Sequence, residues 1–349
     1  AVVTAIVGSV YPAYYITSFK PAFVLKGSFG TSRSGRILRN TLIGIQLTVS
    51  IALIICTVFI HMQNQYMLNY DMGFTKSYLI TGRMPAPVAW WSEKNSSFEN
   101  ELRKNPYIRD LTWSDGSIVD NRRMTWKRTI NGKEVTFQVF PVAWNFPRVI
   151  GIDVIDGRDF SLADEQSENG VVMFNDKAKK DFEIEVNNLF PGHRGDNAEI
   201  AGIISDYHSK PLQYGIEPMV LYMFGKDHGW RDCLTQLYVR TAPNANAKEV
   251  MNYIKKTVID IVPNVDPDEI ELSIFDKELA MRYEKETKLS TIITIFALIA
   301  VIISLMGVFG IVLFETQYRK REIAVRKVLG AEVRDVIGMI NRRFAIIVA

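Results

Sequence analysis

The sequence predicts α-helical transmembrane segments bracketing an α+β extracytoplasmic domain. Three observations lead there. First, the 349-residue chain holds three uncharged apolar runs, at 1–19, 42–60 and 289–314. Each is about long enough to cross a bilayer core of roughly 30 Å. Second, charge is partitioned. Residues 1–69 carry five basic groups and no acid, and residues 287–349 carry nine basic and four acidic groups, so the flanks sum to +10 and residues 70–286 to −7. Short flanking loops rich in Lys and Arg stay in the cytoplasm, which places the acidic middle on the other side. Third, the middle alternates strand-like and helix-like runs. A mean hydropathy of +0.03 fits a membrane part joined to one sizeable soluble domain.

Taken in order, residues 1–19 predict a transmembrane helix that Pro12 can kink. Residues 20–40 predict a basic cytoplasmic linker, loosened by Gly30, Ser32, Ser34 and Gly35. A second helix is expected over 41–70. In it Gly44, Thr48, Ala52 and Cys56 recur every four residues, a small-residue stripe that lets another helix backbone come close in lipid. Gln46 and Ser50 are placed to hydrogen-bond across helices.

The domain is expected over 71–286. Strands are predicted at 77–84 and 107–114 around a helix at 92–104. A further strand–helix–strand unit follows at 235–240, 245–262 and 270–275. Runs at 125–130 and 134–140 flank Asn131 and Gly132, a strong hairpin signal. The two outer strand–helix–strand units read as one split α+β subdomain, with a second subdomain inserted at about 141–232. A charged helix at 276–288 leads to the third span, 287–315, where Ala297, Ala300, Ser304 and Gly307 form another small-residue face. The chain begins at Ala1, without a signal peptide of its own, and ends in an apolar stretch. The expectation is a piece of a longer membrane protein, with 342–349 opening a further span.

Residues 316–341 follow the third span. Arg319, Lys320, Arg321, Glu322, Arg326 and Lys327 make a charged block, interleaved with Ile323, Val325, Val328 and Leu329. Val325 and Leu329 are four apart and share a helix side. Gly330 suits a left-handed helix end. A basic amphipathic helix beside a membrane span reads either as an anchor on lipid headgroups or as a docking element for a cytoplasmic partner.

The order Arg-Glu-Ile at 321–323, Arg-Lys at 326–327 and Leu-Gly-Ala at 329–331 resembles the signature of FtsX-like, MacB-like (type VII) ABC transporter permeases. Asp71, Gly73 and Phe74 resemble the DxGF start of that family's outer domain. Residues 157–160 resemble its GRDF phrase. Residues 203–208 resemble its GVVKDFH phrase, with Ser205 in place of Lys and Tyr207 in place of Phe. The resemblance implies a MacB-like periplasmic core with a porter-like split βαβ subdomain. Residues 17–27 resemble the end of the first permease unit in two-unit members, which implies that 1–19 is the last span of a preceding unit. The resemblance makes Arg319, Arg321, Glu322, Arg326, Lys327, Leu329 and Gly330 the residues that couple to a cytoplasmic ABC ATPase. The remaining partners it implies are a second permease unit, in the same chain or a homodimer, and the lipid bilayer of the cell inner membrane. The work done outside is then export of a drug, peptide or lipoprotein-like substrate, or mechanotransmission.

Other chemistry finds no motif. No GxxxxGK[ST] loop, H-E-x-x-H or paired CxxC occurs. The histidines at 61, 193, 208 and 228 are scattered, and Ser205, Asp206 and His208 lack a GxSxG elbow. Trp90 and Trp91 read as core packing. Cys56 and Cys233 are not expected to pair. No cofactor, metal, catalytic residue or nucleic-acid partner is expected. The alternative reading is a membrane-anchored extracytoplasmic sensor or binding module without an ATPase.

Overall fold

The computed structural model describes residues 33–338 except 91, 121–122, 131, 192–196, 213, 227–230, 268–269 and 336. The predicted first span and the span opening at 342 lie outside the described residues. The chain divides into a helical unit, up to Gln63 and from Thr287 onward, and a domain, Asn64–Glu286.

Helix α1 spans Arg33–Asn69. The last eight residues of the linker expected through residue 40 are therefore helical. No proline interrupts 33–69, and Ile37, Leu38 and Arg39 are compatible with a helix that Gly35 alone does not break. In the domain, β1 (Leu79–Arg83) leads to α2 (Asn95–Leu102) and β2 (Ile108–Ser114). The hairpin β3 (Met124–Ile130) and β4 (Lys133–Pro141) follows, turned by Gly132 at φ +77°. Then come α3 (Phe146–Ile150), β5 (Val154–Gly157), β6 (Val171–Asn175), α4 (Asp176–Phe182), β7 (Leu189–Pro191), β8 (Asn197–Ile204) and β9 (Met219–Met223). The domain closes with β10 (Gln236–Thr241), α5 (Ala247–Ile261), β11 (Leu272–Ile274) and α6 (Phe275–Arg282).

The strands make two sheets. The small sheet is antiparallel in the order β11-β1-β10-β2. Its residues alternate between faces, as the pleat requires. Ile80, Leu111, Trp113, Leu237 and Val239 pack with Phe98 of α2 and Val250 and Ile254 of α5. Trp113 Nε1 donates to Glu99 Oε1 on α2 at 2.7 Å. Leu79 and Tyr238 turn to the opposite face and join a second core.

The large sheet runs β3-β4-β9-β6-β8-β5, with β7 on β8. Its inner strands β6 and β9 are buried throughout, so they read as continuous apolar runs. The inserted sheet begins at Met124, not near 141. Residues 138–141 of β4 pair in parallel with 219–222 of β9, which carries the whole hairpin onto the large sheet. One face packs Trp126, Phe137, Phe174, Phe190 and Tyr222. The other, with Phe140, Met173, Ala201 and Leu221, shares its core with Tyr238, Phe275 and Leu279. Arg240 ties the start of the domain to α3. It donates to the carbonyls of Thr75, Ser77, Val149 and Ile150.

The helical unit continues with α7 (Glu284–Tyr318) and α8 (Lys320–Val328). Gly44–Met67 and Thr287–Gly310 are each long and apolar enough to cross a membrane.

Candidate functional site

Helix α8 carries the predicted coupling residues. It ends in paired backbone bonds: Ala331 N donates to Arg326 O at 3.0 Å and Gly330 N to Lys327 O at 3.1 Å, with Gly330 at φ +92°. This is a Schellman closure, which a residue with a Cβ adopts only with strain. Glu322 sits between Arg319, at 3.5 Å, and Arg326, at 3.0 Å. Exposed pairs of this kind are worth roughly 0.3–0.5 kcal/mol each, enough to bias the helix but not to hold it. Arg321 and Lys327 are exposed. So are Val325, Val328 and Leu329, the last two at 88% and 81%. The short helix therefore presents an apolar strip with cations beside it.

Between the long helices, the polar contact is a hydroxyl pair. Ser50 Oγ lies 2.7 Å from Ser304 Oγ, and the carbonyl oxygens of Gln46, at 2.9 Å, and Ala300, at 3.3 Å, are both within reach of its one proton. Ala297 and Ser304 are buried, and Ala300 and Gly307 are half-buried. Between 44 and 60 on α1 the covered positions among the described residues are Gly44, Gln46, Leu47, Ser50, Leu53, Thr57 and Ile60, and the series from Gln46 through Ser50, Leu53, Thr57 and Ile60 is spaced three and four apart like a coiled-coil seam. Thr48 and Ala52 of the small-residue stripe lie off the face that meets Ser304. Thr48 and Ala52 are exposed, and a Cβ on Gly44 would meet nothing within 4 Å. Thr48 and Ala52 each lie two residues from Ser50, about 200° around the helix, so they occupy its other side.

The family-like phrases of the domain meet each other. Gly73, at φ +83°, brings its backbone against Asp206 O, where a Cβ would collide. His208 N donates to Met72 O at 2.8 Å, and Phe74 packs edge-on against Tyr207. The Asp206 carboxylate accepts from Asn175 Nδ2 and from the backbone of Lys177, both at 2.9 Å, and so caps α4. His208 packs edge-on against Tyr70, and burial lowers its pKa. In the third phrase, Arg158 grips both carboxylate oxygens of Asp164, at 2.7 and 3.0 Å. Trp90 borders the small-sheet core, and Trp91 lies outside the described residues.

Sequence reasoning missed one feature of the domain. A cavity of about 520 Å³ opens at the end of the small sheet where β1 finishes and β11 begins. It lies on the face turned away from α2 and α5. Thr81 and Gln236 form part of its lining and are bonded to each other, Gln236 Nε2 to Thr81 Oγ1 at 2.7 Å. Four carboxylates line it: Asp115 and Asp120 from the loop after β2, Glu271 beside β11, and Glu278 on α6. Among the described residues Arg83 is the one basic residue in the lining, and Met281 adds apolar wall, while Leu272, paired with Gly82, packs against the core under α2 and α5. Burial pushes the Asp115 carboxyl up to about 6, against the opposing pull of Arg123. These acids come as two pairs about 150 residues apart in sequence, 115/120 and 271/278, and match no known motif, so no linear pattern announces them.

No family model matches this chain, and no curated protein does. Among solved structures, the periplasmic region of MacB from Actinobacillus actinomycetemcomitans is similar, with a TM-score of 0.39 at 13% identity. It is matched over 61% of this chain and 96% of that one. The extracellular domain of the noncanonic ABC-type transporter YknZ from Gram-positive bacteria gives 0.37 at 12%, over 52% and 92%. Both are extracytoplasmic domains of the kind that the sequence resemblance names. Likeness at this level carries no argument about activity or partners.

Proposed function

We propose that this chain is a permease-type subunit of an FtsX-like, MacB-like ABC system. It sits in the cell inner membrane as a multi-pass protein with residues 71–286 outside the cytoplasm. A separate cytoplasmic ATPase supplies the hydrolysis, and this chain is not itself an enzyme. The small sheet, with its two strand–helix–strand halves, is the porter-like part, and the large sheet is the inserted subdomain. The observation that carries the reading is the ordered segment 321–331. It forms its own capped helix directly after a long apolar one and leaves Val325, Val328 and Leu329 uncovered beside Arg321 and Lys327. A partner that binds two arrangements of such a helix with different affinity moves whatever the helix is joined to. The work done outside is export or mechanotransmission.

The test is co-purification of the ATPase with Arg321→Glu, Lys327→Glu protein. Neither site is one of the two residues salt-bridged to Glu322. Like-charge contact at an interface costs several kcal/mol, so at least tenfold weaker association is expected, with the outer domain still folded. Impermeant labelling of Asn131→Cys in the same protein checks that orientation is kept. Wild-type association and stimulation in correctly oriented protein would leave α8 as a lipid anchor and overturn the reading.

A further inference from the structure

The connection from β8 to β9 has no part in coupling as proposed above, yet it carries an exposed tyrosine, Tyr214, at 52%. It is pinned at several points. His208 N donates to Met72 O at 2.8 Å, and the His208 ring packs edge-on against Tyr70 at 5.4 Å. Leu212 packs on the same core as Met67 and Tyr283. Lys210 pairs with Glu217 at 2.7 Å, and Tyr214 N donates to Pro211 O at 2.9 Å, so a tight turn presents Tyr214. Pro211 shares a small cavity with Met72, just past the end of α1, and with Tyr283, just before the start of α7. This connection therefore lies beside both points where the chain joins the long apolar helices.

The end of α1 adds rings at the same level. Tyr66 and Tyr70 meet edge-on at 5.4 Å, and Tyr66 is 63% exposed. A shallow cavity of about 450 Å³ opens against them, lined by Gln65, Tyr66, Asn69, Tyr70 and Asp71. The stretch of α1 that is long and apolar enough to cross a membrane ends at Met67. Tyr70 follows three residues later, roughly 5 Å at the helical rise. The headgroup layer is roughly 5–8 Å thick on each side of the hydrocarbon.

We propose that Tyr66, Tyr70, His208 and Tyr214 rest in the phospholipid headgroup layer of the outer leaflet. The inference rests on the membrane topology proposed above. Tyrosine favours that layer, because its ring is apolar while its hydroxyl stays wet. Tyr66 reaches the layer from the helix and Tyr214 from the domain, and the His208–Tyr70 contact holds the two at one depth.

Site-specific photo-crosslinking of the full chain in nanodiscs of phosphatidylethanolamine and phosphatidylglycerol tests this. A benzophenone amino acid replaces Tyr66, Tyr214, Leu189 or Leu298, one at a time, each more than half exposed. Circular dichroism verifies the fold of each variant, and intact mass after irradiation reads the lipid adducts. Position 298 lies in the apolar stretch of α7 and reports the span itself. Position 189 lies on β7 of the large sheet. Adducts are expected at 298, 66 and 214, with the last two at least about tenfold above 189. Adducts at 298 without adducts at both 66 and 214 overturn the proposal and leave the span in place. Equal yields at 189 and 214 mark random collision with lipid and overturn it too, as do cross-links from 214 to a second protein chain in place of lipid. No adduct at 298 removes the membrane topology and the proposal with it.

Discussion

The two units of this chain are built inside out with respect to each other. In the domain, the large side chains are hidden: Trp113, Phe98, Phe137 and Phe174 are at most 1% exposed. In the helical unit they are displayed: Leu298, Leu305 and Phe309 are between 63% and 64% exposed, and the buried positions among the described residues are Ser50, Ser290, Ala297 and Ser304. No single solvent suits both. Apolar area removed from water contributes about 25 cal/mol per Å², so water drives the domain together and would penalise the helices. Lipid reverses the position. Leucine gains nothing by leaving hydrocarbon, and close backbone approach and hydroxyl pairing remain as the attractive terms.

The largest expected effect puts the same truncation on both sides of that contrast. Phe137 packs edge-on with Phe174 and Phe190 at centroid distances of 5.8 and 5.3 Å. Phe137→Ala is expected to cost about 3–5 kcal/mol of domain stability in urea unfolding. Phe309→Ala in detergent should cost under about 1 kcal/mol, since detergent already covers that ring. Equal losses would mean that protein covers Phe309, and the contrast would fail.

The contrast also explains what the sequence revealed. Both long helices, the strand–helix–strand halves and the hairpin follow from local pattern, because run length and period are local properties. The junction at Met124 was hidden because a hairpin shows its own turn but not its next neighbour in a sheet; β9, which pairs with β4, lies some eighty residues further on. On α1 the expected cross-helix hydrogen bonding is seen at Ser50, whose hydroxyl meets Ser304, while Thr48 and Ala52 lie off that face. Gly330 could be read directly, since a helix-ending glycine needs only its own backbone. The acidic cavity could not, because it is assembled from five separate segments.

A second test uses the charge that the domain half-buries; residues 44–60 and 289–314 contain no Asp, Glu, Lys or Arg at all. The pKa of Asp115 is raised from 3.8 to about 6. The folded protein then binds this proton more tightly than the unfolded chain does. The resulting destabilisation is absent below about pH 4, grows as pH rises and is complete above about pH 6. Asp115→Asn removes that step. The variant should match wild type near pH 4 and exceed it near pH 7, by at most roughly 3 kcal/mol. Thermal melts at both pH values decide it. An equal difference at the two would show that Asp115 titrates normally.

The smallest expected effect is the most informative about the helical unit. Ser304→Ala removes one of two hydroxyls that meet at 2.7 Å. Ser50 is not stranded by the change, because its hydroxyl also donates to Gln46 O, one turn back on its own helix, at 2.9 Å. The alternative partner caps the loss. Hydrogen bonds between helices in membranes average about 0.6 kcal/mol in double-mutant cycles, for the same reason that unpaired groups find substitutes. A cycle of Ser50→Ala, Ser304→Ala and the double variant, followed by unfolding in detergent, should therefore give a coupling of about 0.5–1 kcal/mol. Ile303→Leu, on an exposed position beside it, should give no change. Zero coupling would mean that the two hydroxyls do not meet. Coupling above about 2 kcal/mol would mean that Ser50 has no fallback, and that the seam holds its polar groups as tightly as the domain holds Arg240.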